Sequence, residues 1–200
     1  LPDERKYICI GLCGDEDFFS LKGVVENLLA AFGIRKARFT PEASEYYHPG
    51  RKAGISVKNA PLGEMGEVHP DVAAEYGISK RVYIAELWVD ALVSHADDAV
   101  RYEPLPKFPA VERDLALTVD EDVSAGSLLD CIRRHGGAHF ENARLFDVYT
   151  GEKLGAGKKS LAFTVVFRAK DRTLTDEEAN AARDVIVAAA AKAFGAALRE

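Results

Sequence analysis

The chain has 200 residues and a net charge of −6, with 26 Lys plus Arg against 32 Asp plus Glu and a pI near 5.5, so no bulk positive field would hold nucleic acid nonspecifically and any RNA contact must be local. The length suits two domains of about 100 residues each better than one. Hydrophobic residues make up 48% and charged residues 29%, and no apolar run approaches the roughly 18 residues that a membrane-spanning helix needs, which excludes such a span.

Leu1 follows no Met and residues 1–6 hold no apolar signal core, which reads as a chain beginning inside a longer protein. Residues 7–10 form a short apolar strand. Asp17 then caps a helix whose apolar Phe18, Leu21, Val25, Leu28 and Phe32 recur at steps of three and four, with Gly33 ending it. Residues 46–69 are dense in Gly, Pro and Asn. Within them, 53–57 and 63–68 read as antiparallel strands around Asn59-Ala-Pro61. A short helix follows over 70–76, with Pro70 in its first turn and Gly77 beyond its end, and then a strand over 81–89. The three cysteines, Cys9, Cys13 and Cys131, form no complete disulfide set, and their spacing is a poor zinc signature; they read as reduced, mostly buried thiols of a cytosolic protein.

Composition shifts at Tyr102-Glu-Pro-Leu-Pro-Lys-Phe-Pro109, where the prolines deny regular helix and favour an extended linker between domains. Beyond it Leu115, Leu117 and Val119 alternate along a strand, and Ser124 caps a helix bearing Leu128, Leu129 and Ile132 that stops at Gly136-Gly137. Strands over 143–149 and 160–168 are joined by a Gly-rich connection as a hairpin with a long loop. Thr175-Asp-Glu-Glu178 is a capping box that opens a helix with Ala182, Val185, Ile186, Ala189 and Phe194 inward, closed by Gly195 before a final strand in 196–199. The order βαββαβ is the signature of a ferredoxin-like α+β sandwich, two helices on one face of an antiparallel sheet and the other face open. The fold alone fixes no function.

With Leu117, Phe146 and Phe163 toward the helices, period-two alternation sends Ala116, Thr118, Asp147, Tyr149, Ser160, Ala162, Thr164 and Arg168 to the open face. Small residues around one tyrosine leave room for a flat ring to stack. A carboxylate such as Asp147 suits guanine, whose Watson–Crick edge presents two N–H donors side by side. The competing reading is an ordinary exposed cross-strand patch.

Six segments then resemble a known family: Asp17-Phe-Phe-Ser-Leu-Lys-Gly23, His48-Pro-Gly-Arg51, Gly63-Glu-Met-Gly-Glu-Val-His-Pro70, Lys107-Phe-Pro-Ala-Val-Glu-Arg-Asp114, Leu145-Phe-Asp-Val-Tyr-Thr-Gly151 and Arg172-Thr-Leu-Thr-Asp-Glu-Glu178. In this order they are similar to the C-terminal part of bacterial phenylalanyl-tRNA synthetase β subunits, over essentially the whole chain. The resemblance implies a truncated, noncatalytic class II synthetase-like antiparallel sheet module over residues 1–95, a linker over 96–106 and a ferredoxin-like anticodon-binding domain over 107–200. It implies that Ala116, Asp147, Tyr149 and Ser160 bind an anticodon beginning with guanine. Lys107, Arg144, Lys158, Lys159 and Arg168 would touch tRNA phosphates, within a local basic supply that includes Arg113, Lys153, Lys170 and Arg172. The implied partners are phenylalanine tRNA and a synthetase α subunit in a cytoplasmic α2β2 heterotetramer. ATP and magnesium would serve the ligase in the α subunit, this segment would hold no cofactor or metal, and editing would lie upstream.

The loss of chemistry can be argued from residues. An ATP site of this class needs glycines for close backbone approach and a fixed arginine. The strand Arg81-Val-Tyr-Ile-Ala-Glu-Leu-Trp-Val-Asp90 offers bulky side chains and acids there instead. His48 and His69, both before proline, read as turn hydrogen bonders rather than metal ligands. Lys22 and Arg51 read as bridges to acids such as Glu67, or as facing a partner subunit. Trp88 and the Ala188-to-Ala191 run read as packing features. Two other readings stand beside the ligase: a free-standing ferredoxin-like RNA- or ligand-binding protein, and a small acyl phosphatase-like enzyme, for which no Arg-Asn phosphate cradle is found.

Overall fold

The computed structural model describes residues 4–97, 99, 102, 104–151 and 154–199, and the chain divides into two compact units, 1–102 and 103–200. In the first, a five-stranded antiparallel sheet runs β1 (Tyr7–Cys13), β5 (Val82–Trp88), β4 (Ala60–Val68), β3 (Tyr47–Val57), β2 (Arg38–Thr40) across. Helix α1 (Phe18–Ala31) starts at Asp17, whose side chain accepts from the Ser20 amide at 2.7 Å, and that bond holds the Asp17 carboxyl below its ordinary range. Its Leu21, Val25 and Leu29 are buried with Ile55, Met65, Tyr83, Ala85 and Leu87 of the sheet. Helices α2 (Pro70–Glu75) and α3 (Val89–His95) flank β5 in sequence. His69 caps α2 by accepting from the Asp71 amide at 3.3 Å, and His48 accepts from Gly50 at 3.0 Å, so both histidines are turn formers.

Three details depart from the sequence reading. The β3–β4 turn is Lys58-Asn59, both at positive φ (47° and 68°), as a two-residue hairpin requires, and Ala60 and Pro61 already belong to β4. Strand β3 starts as early as Tyr47; β2 pairs with β3 only at Gly54, Ile55 and Ser56, so the other side of β3 is unpaired at Pro49 and the missing N–H costs nothing there. Cys9 and Cys13 are exposed rather than buried, because alternation along the edge strand β1 turns them away from α1; Cys131 alone is buried.

Arg51 does bridge Glu67. Its Nη2 lies 3.1 Å from Glu67 Oε1 and its Nε donates to the other oxygen, with Arg81 3.9 Å away. Lys22 instead pairs with Glu26 and sits 4.6 Å above the Phe39 ring. Burial pushes the Glu67 carboxyl up, but the hydrogen bonds and charge of Arg51, a hydrogen bond from Tyr83 and the charge of Arg81 together hold it below its usual 4.5. A depressed carboxyl stabilises the fold above its unfolded value and loses that contribution as pH falls through the folded one. Arg51→Met should therefore lower stability at pH 7 by about 1–3 kcal/mol, the cost of leaving a buried group unpartnered. The deficit against wild type should shrink in denaturant melts as pH drops from about 5 toward 3; a deficit that stays constant would remove Glu67 as its source.

In the second unit the antiparallel order is β7 (Phe140–Tyr149), β8 (Lys158–Phe167), β6 (Val111–Asp120), β9 (Ala197–Leu198). Helices α4 (Ala125–His135) and α5 (Asp176–Phe194) cover one face, burying Leu128, Ile132, Ile186 and Ala190 against Leu115, Leu117, Val119, Leu161, Phe163 and Val165. This is the ferredoxin-like sandwich. Helix α5 turns Ala179, Ile186 and Ala190 inward while Val185 is 55% exposed, since neighbours 185 and 186 cannot both lie at the centre of a 3.6-period stripe. The capping box is complete: Thr175 accepts from the Glu178 amide and Glu178 from the Thr175 amide. The hydrogen bonds of Arg172, then that amide, bring the Glu178 carboxyl down to about 2. Thr175→Ala should cost about 1 kcal/mol by chemical denaturation; a loss below a few tenths would mean that the box contributes little.

Candidate nucleic-acid interface

Register defines the uncovered face of this sheet. Thr118 pairs with Ser160 and Ser160 with Tyr149; Ala116 pairs with Ala162 and Ala162 with Asp147; Asp114 pairs with Thr164 and Thr164 with Arg144. Three rows across β7, β8 and β6 thus place the four expected anticodon residues on one surface, facing away from α4 and α5. Rows lie about 7 Å apart and strands about 4.8 Å apart, the footprint of a nucleobase. The middle row is two alanines beside Asp147, and Ala162 and Ser160 are nearly fully buried, so the floor is built of small residues that the surrounding side chains leave little open.

The route by which Asp147 and Tyr149 reach this face differs from simple alternation. Ala143 and Leu145 face the helices, with Leu145 opposite Phe163, and the ladder resumes with Asp147 opposite Ala162. Phe146 is the extra residue of a β-bulge and is 55% exposed, not packed in the core as the alternation had it. The bulge resets the phase of the strand. Without it, anchoring on Leu145 would have sent Asp147 and Tyr149 under the helices.

Tyr149 is held from two sides. A Cβ at Gly151 would run into its phenol, so a larger residue there would push the ring aside. The Arg199 guanidinium lies 4.8 Å from the ring centroid, a cation–π contact. Arg199 follows β9 and its amide donates to the Ala116 carbonyl at 2.9 Å, which fixes its backbone beside the floor. Sequence reasoning missed Arg199. Its signal was available in principle, since a short fourth strand in this topology must pair beside β6, but the pairing register that aims Arg199 across the floor is not written in local residues. Asp147 is exposed, and among the described residues no hydrogen bond or ion pair engages its carboxylate. Thr164, by contrast, donates to Asp114 at 2.9 Å.

The basic residues divide. Arg144 is exposed on the uncovered face and has no acidic partner among the described residues. Lys107 is exposed next to the linker. Lys158 pairs with Asp120 at 2.5 Å, across the sheet. Lys159 donates to the Glu121 carbonyl at 2.7 Å and pairs with Val119, a core position, so its parity is that of the helix side. Arg168 is engaged by Glu141 and donates to the Phe108 carbonyl at 2.6 Å, tying the start of the unit to the sheet; the Glu141 hydrogen bond raises its pKa further. Arg113 is likewise held by Asp176, by Asn180 at 2.9 Å and by the Glu112 carbonyl. Lys153 lies outside the described residues.

An uncovered four-stranded face with a small floor, one clamped aromatic and an unengaged carboxylate is the build of a ferredoxin-like nucleic-acid-binding domain. Residues 106–199 match the family described as the ferredoxin-fold anticodon binding domain, and residues 1–89 match the phenylalanyl tRNA synthetase beta chain CLM domain. The chain belongs to the phenylalanyl-tRNA synthetase beta chain family. It is 43% identical over 200 residues to the phenylalanine–tRNA ligase beta subunit of Clostridium tetani, covering 100% of this chain and 25% of that one. It is 44% identical over 211 residues to that of Symbiobacterium thermophilum, covering 100% and 24%. The chain thus spans about a quarter of the length of these relatives. Among solved structures, pyrrolysyl-tRNA synthetase from Desulfitobacterium hafniense aligns with 48% of this chain and 38% of its own, at 16% identity and a TM-score of 0.37.

Proposed function

We propose that this chain is the anticodon-reading and assembly segment of a phenylalanine–tRNA ligase, acting with a synthetase α subunit in an α2β2 enzyme of the cytoplasm. The single observation that carries the reading is the juxtaposition of Tyr149 and Asp147, two residues apart on the uncovered face above Ala116, Ala162 and Ser160. A base stacked on Tyr149 turns its edge toward Asp147, and only guanine offers that carboxylate two adjacent N–H donors. Arg199 closes the ring from the other side or releases its charge to phosphate. The order of the two matched domains supports the ligase reading over a free-standing binding protein. Binding of phenylalanine tRNA transcripts carrying each of the four first anticodon bases tests it: guanine should bind tightest, and equal binding of all four would refute the assignment.

The ligase's ATP and magnesium do not fit the first unit. On the sheet face away from α1, Glu86 of β5 stands opposite Glu64 of β4, with the Tyr46 hydroxyl donating to Glu86 at 2.9 Å and Ser44 donating to Glu64. Two carboxylates at the centre of the sheet repel a triphosphate, and Lys52 nearby is engaged by the Ala43 carbonyl at 2.8 Å. Phenylalanine-dependent pyrophosphate exchange by this chain alone should stay at background; exchange above it would restore a catalytic role.

Arg144, as an unpaired cation on the uncovered face, should touch phosphate. Arg144→Ala should weaken all phenylalanine tRNA variants alike and lower the slope of log affinity against log salt by about 0.7–0.9. An unchanged slope would take Arg144 out of the interface.

A further inference from the structure

We infer that the outward side of helix α1 is a self-complementary docking surface on which a second copy of this chain lies antiparallel. The inference gives the assembly role proposed above a surface, and it rests on that reading only for the two copies that an α2β2 enzyme brings together. At 3.6 residues per turn Phe19, Gly23, Glu26 and Ala30 fall on one stripe, turned away from the buried Leu21, Val25 and Leu29. Phe19 is 73% exposed at one end of it. At the other end an open hollow of about 280 Å³ lies against Leu29, Ala30, Ile34, Ala37 and Phe39. Lys22, 4.6 Å above the Phe39 ring, borders the groove between them.

Gly23 stands in the helix interior, where glycine weakens a helix, and a Cβ there would meet nothing within 4 Å. No contact inside the chain requires it. Bare backbone at the middle of an exposed stripe does let a second helix approach at the short end of the usual spacing of about 8–10 Å. The antiparallel sense follows from the positions. Phe19 and Ala30 lie about 16 Å apart along the helix, and a two-fold axis midway between them seats the phenylalanine of each copy at the hollow of the other. The same axis passes beside the midpoint of Lys22 and Glu26, so Lys22 of one copy faces Glu26 of the second copy. These two already pair within one helix, and the docked helices alternate four charges. The ends match too: exposed Asp15 and Glu16 precede α1, while exposed Arg35 and Lys36 follow it. Neighbouring charges are engaged. Asp17 caps the Ser20 amide, Arg51 and Arg81 on the other side of Phe19 are held by Glu67, and Asp97 beside the end of α1 accepts from the Ala99 amide. A parallel pairing would instead set acid against acid and lysine against lysine. One exposed phenylalanine is ordinary on a surface. A hollow, a glycine and a charge pair arranged about the same axis make a surface that matches itself.

One face of a 14-residue helix buries less than a permanent dimer needs, so association of the isolated chain is weak. Sedimentation velocity of the 200-residue chain from about 10 μM to 1 mM should show the mass rise from 21.8 kDa toward twice that. Phe19→Glu and Gly23→Leu should each weaken association by about tenfold or more. Gly23→Leu should melt no lower than wild type, because leucine is the better helix former, so its loss of association is not a loss of folding. Lys22→Glu and Glu26→Lys should each associate more weakly alone, yet the two mixed should recover it, since each then meets charge of the opposite sign. A wild type that stays monomeric at the highest concentration overturns the inference, as does a dimer indifferent to Phe19→Glu and Gly23→Leu, or a mixture that stays apart. Failure of the α2β2 reading shows elsewhere, as a one-to-one complex with the α subunit, and leaves the result on the isolated chain intact.

Discussion

Tyr149→Ala should weaken binding of phenylalanine tRNA about five- to hundred-fold, the loss of roughly 1–3 kcal/mol of base stacking. The size of the effect follows from how the ring is held. Gly151 leaves the phenol a fixed berth and Arg199 sits 4.8 Å from its centroid, so the ring needs little further ordering when a base arrives. Removing it leaves a floor of Ser160, Ala162 and Ala116 with nothing to stack against. Tyr149→Phe keeps the π face and should retain most of the affinity. Gly151→Ala, far from any base edge, should mimic part of the alanine loss by displacing the ring. Filter or anisotropy binding at fixed salt measures all three, and a loss below twofold for Tyr149→Ala would show that no base rests on this ring.

Asp147→Asn should act differently, narrowing the preference for guanine over the other first anticodon bases by about 10- to 100-fold while changing the affinity for those other bases little. A well-placed two-point contact to a base edge is worth about 1–3 kcal/mol of discrimination. Asparagine keeps the shape but replaces one acceptor oxygen by a donor, which meets a guanine N–H head on. The carboxylate is unengaged among the described residues, so the substitution breaks no internal bond and its effect can be assigned to RNA. Equal losses for all four bases would mean that Asp147 acts only as charge or scaffold. The contrast with Arg144→Ala, which should lower every tRNA alike, separates reading from holding.

Much of the fold was legible because its elements carry their own punctuation. Asp17, Ser124 and Thr175 announce helix starts by side-chain capping, Gly195 announces an end in the left-handed region, and Leu115-x-Leu-x-Val119 announces a strand with one buried face. What escaped depends on partners distant in sequence. Strand β2 is three residues long and exists because β3 pairs with it; α3 begins at Val89 with no capping side chain; β3 hides behind Pro49 and Gly50 because they fall in a register shift between Tyr47 and Lys52. In the site, the residue types Tyr149 and Asp147 were visible, since a tyrosine among small residues and a lone acid are unusual on a sheet. The stacking of Arg199, the internal tethering of Lys159 and Arg168, and the exposure of Phe146 were not, because each is set by register or by a contact made across strands.

The bulge at Phe146 gives strand β7 two phases, one for the half that packs under the helices and one for the half that meets the uncovered face. The orientation of Asp147 and Tyr149 is therefore set by Phe146 standing outside the ladder rather than by the identity of either residue. A substitution at Phe146 that keeps the bulge leaves that aim intact. Deleting Phe146 would bring Asp147 next to Leu145 in regular alternation, opposite Ala162 as before, and keep the carboxylate and the ring on the uncovered face, whereas drawing Phe146 into the ladder would rotate the end of β7 by half a period and deliver both to the helix side. A change that straightens the strand without removing a residue would therefore turn both side chains away while altering neither of them.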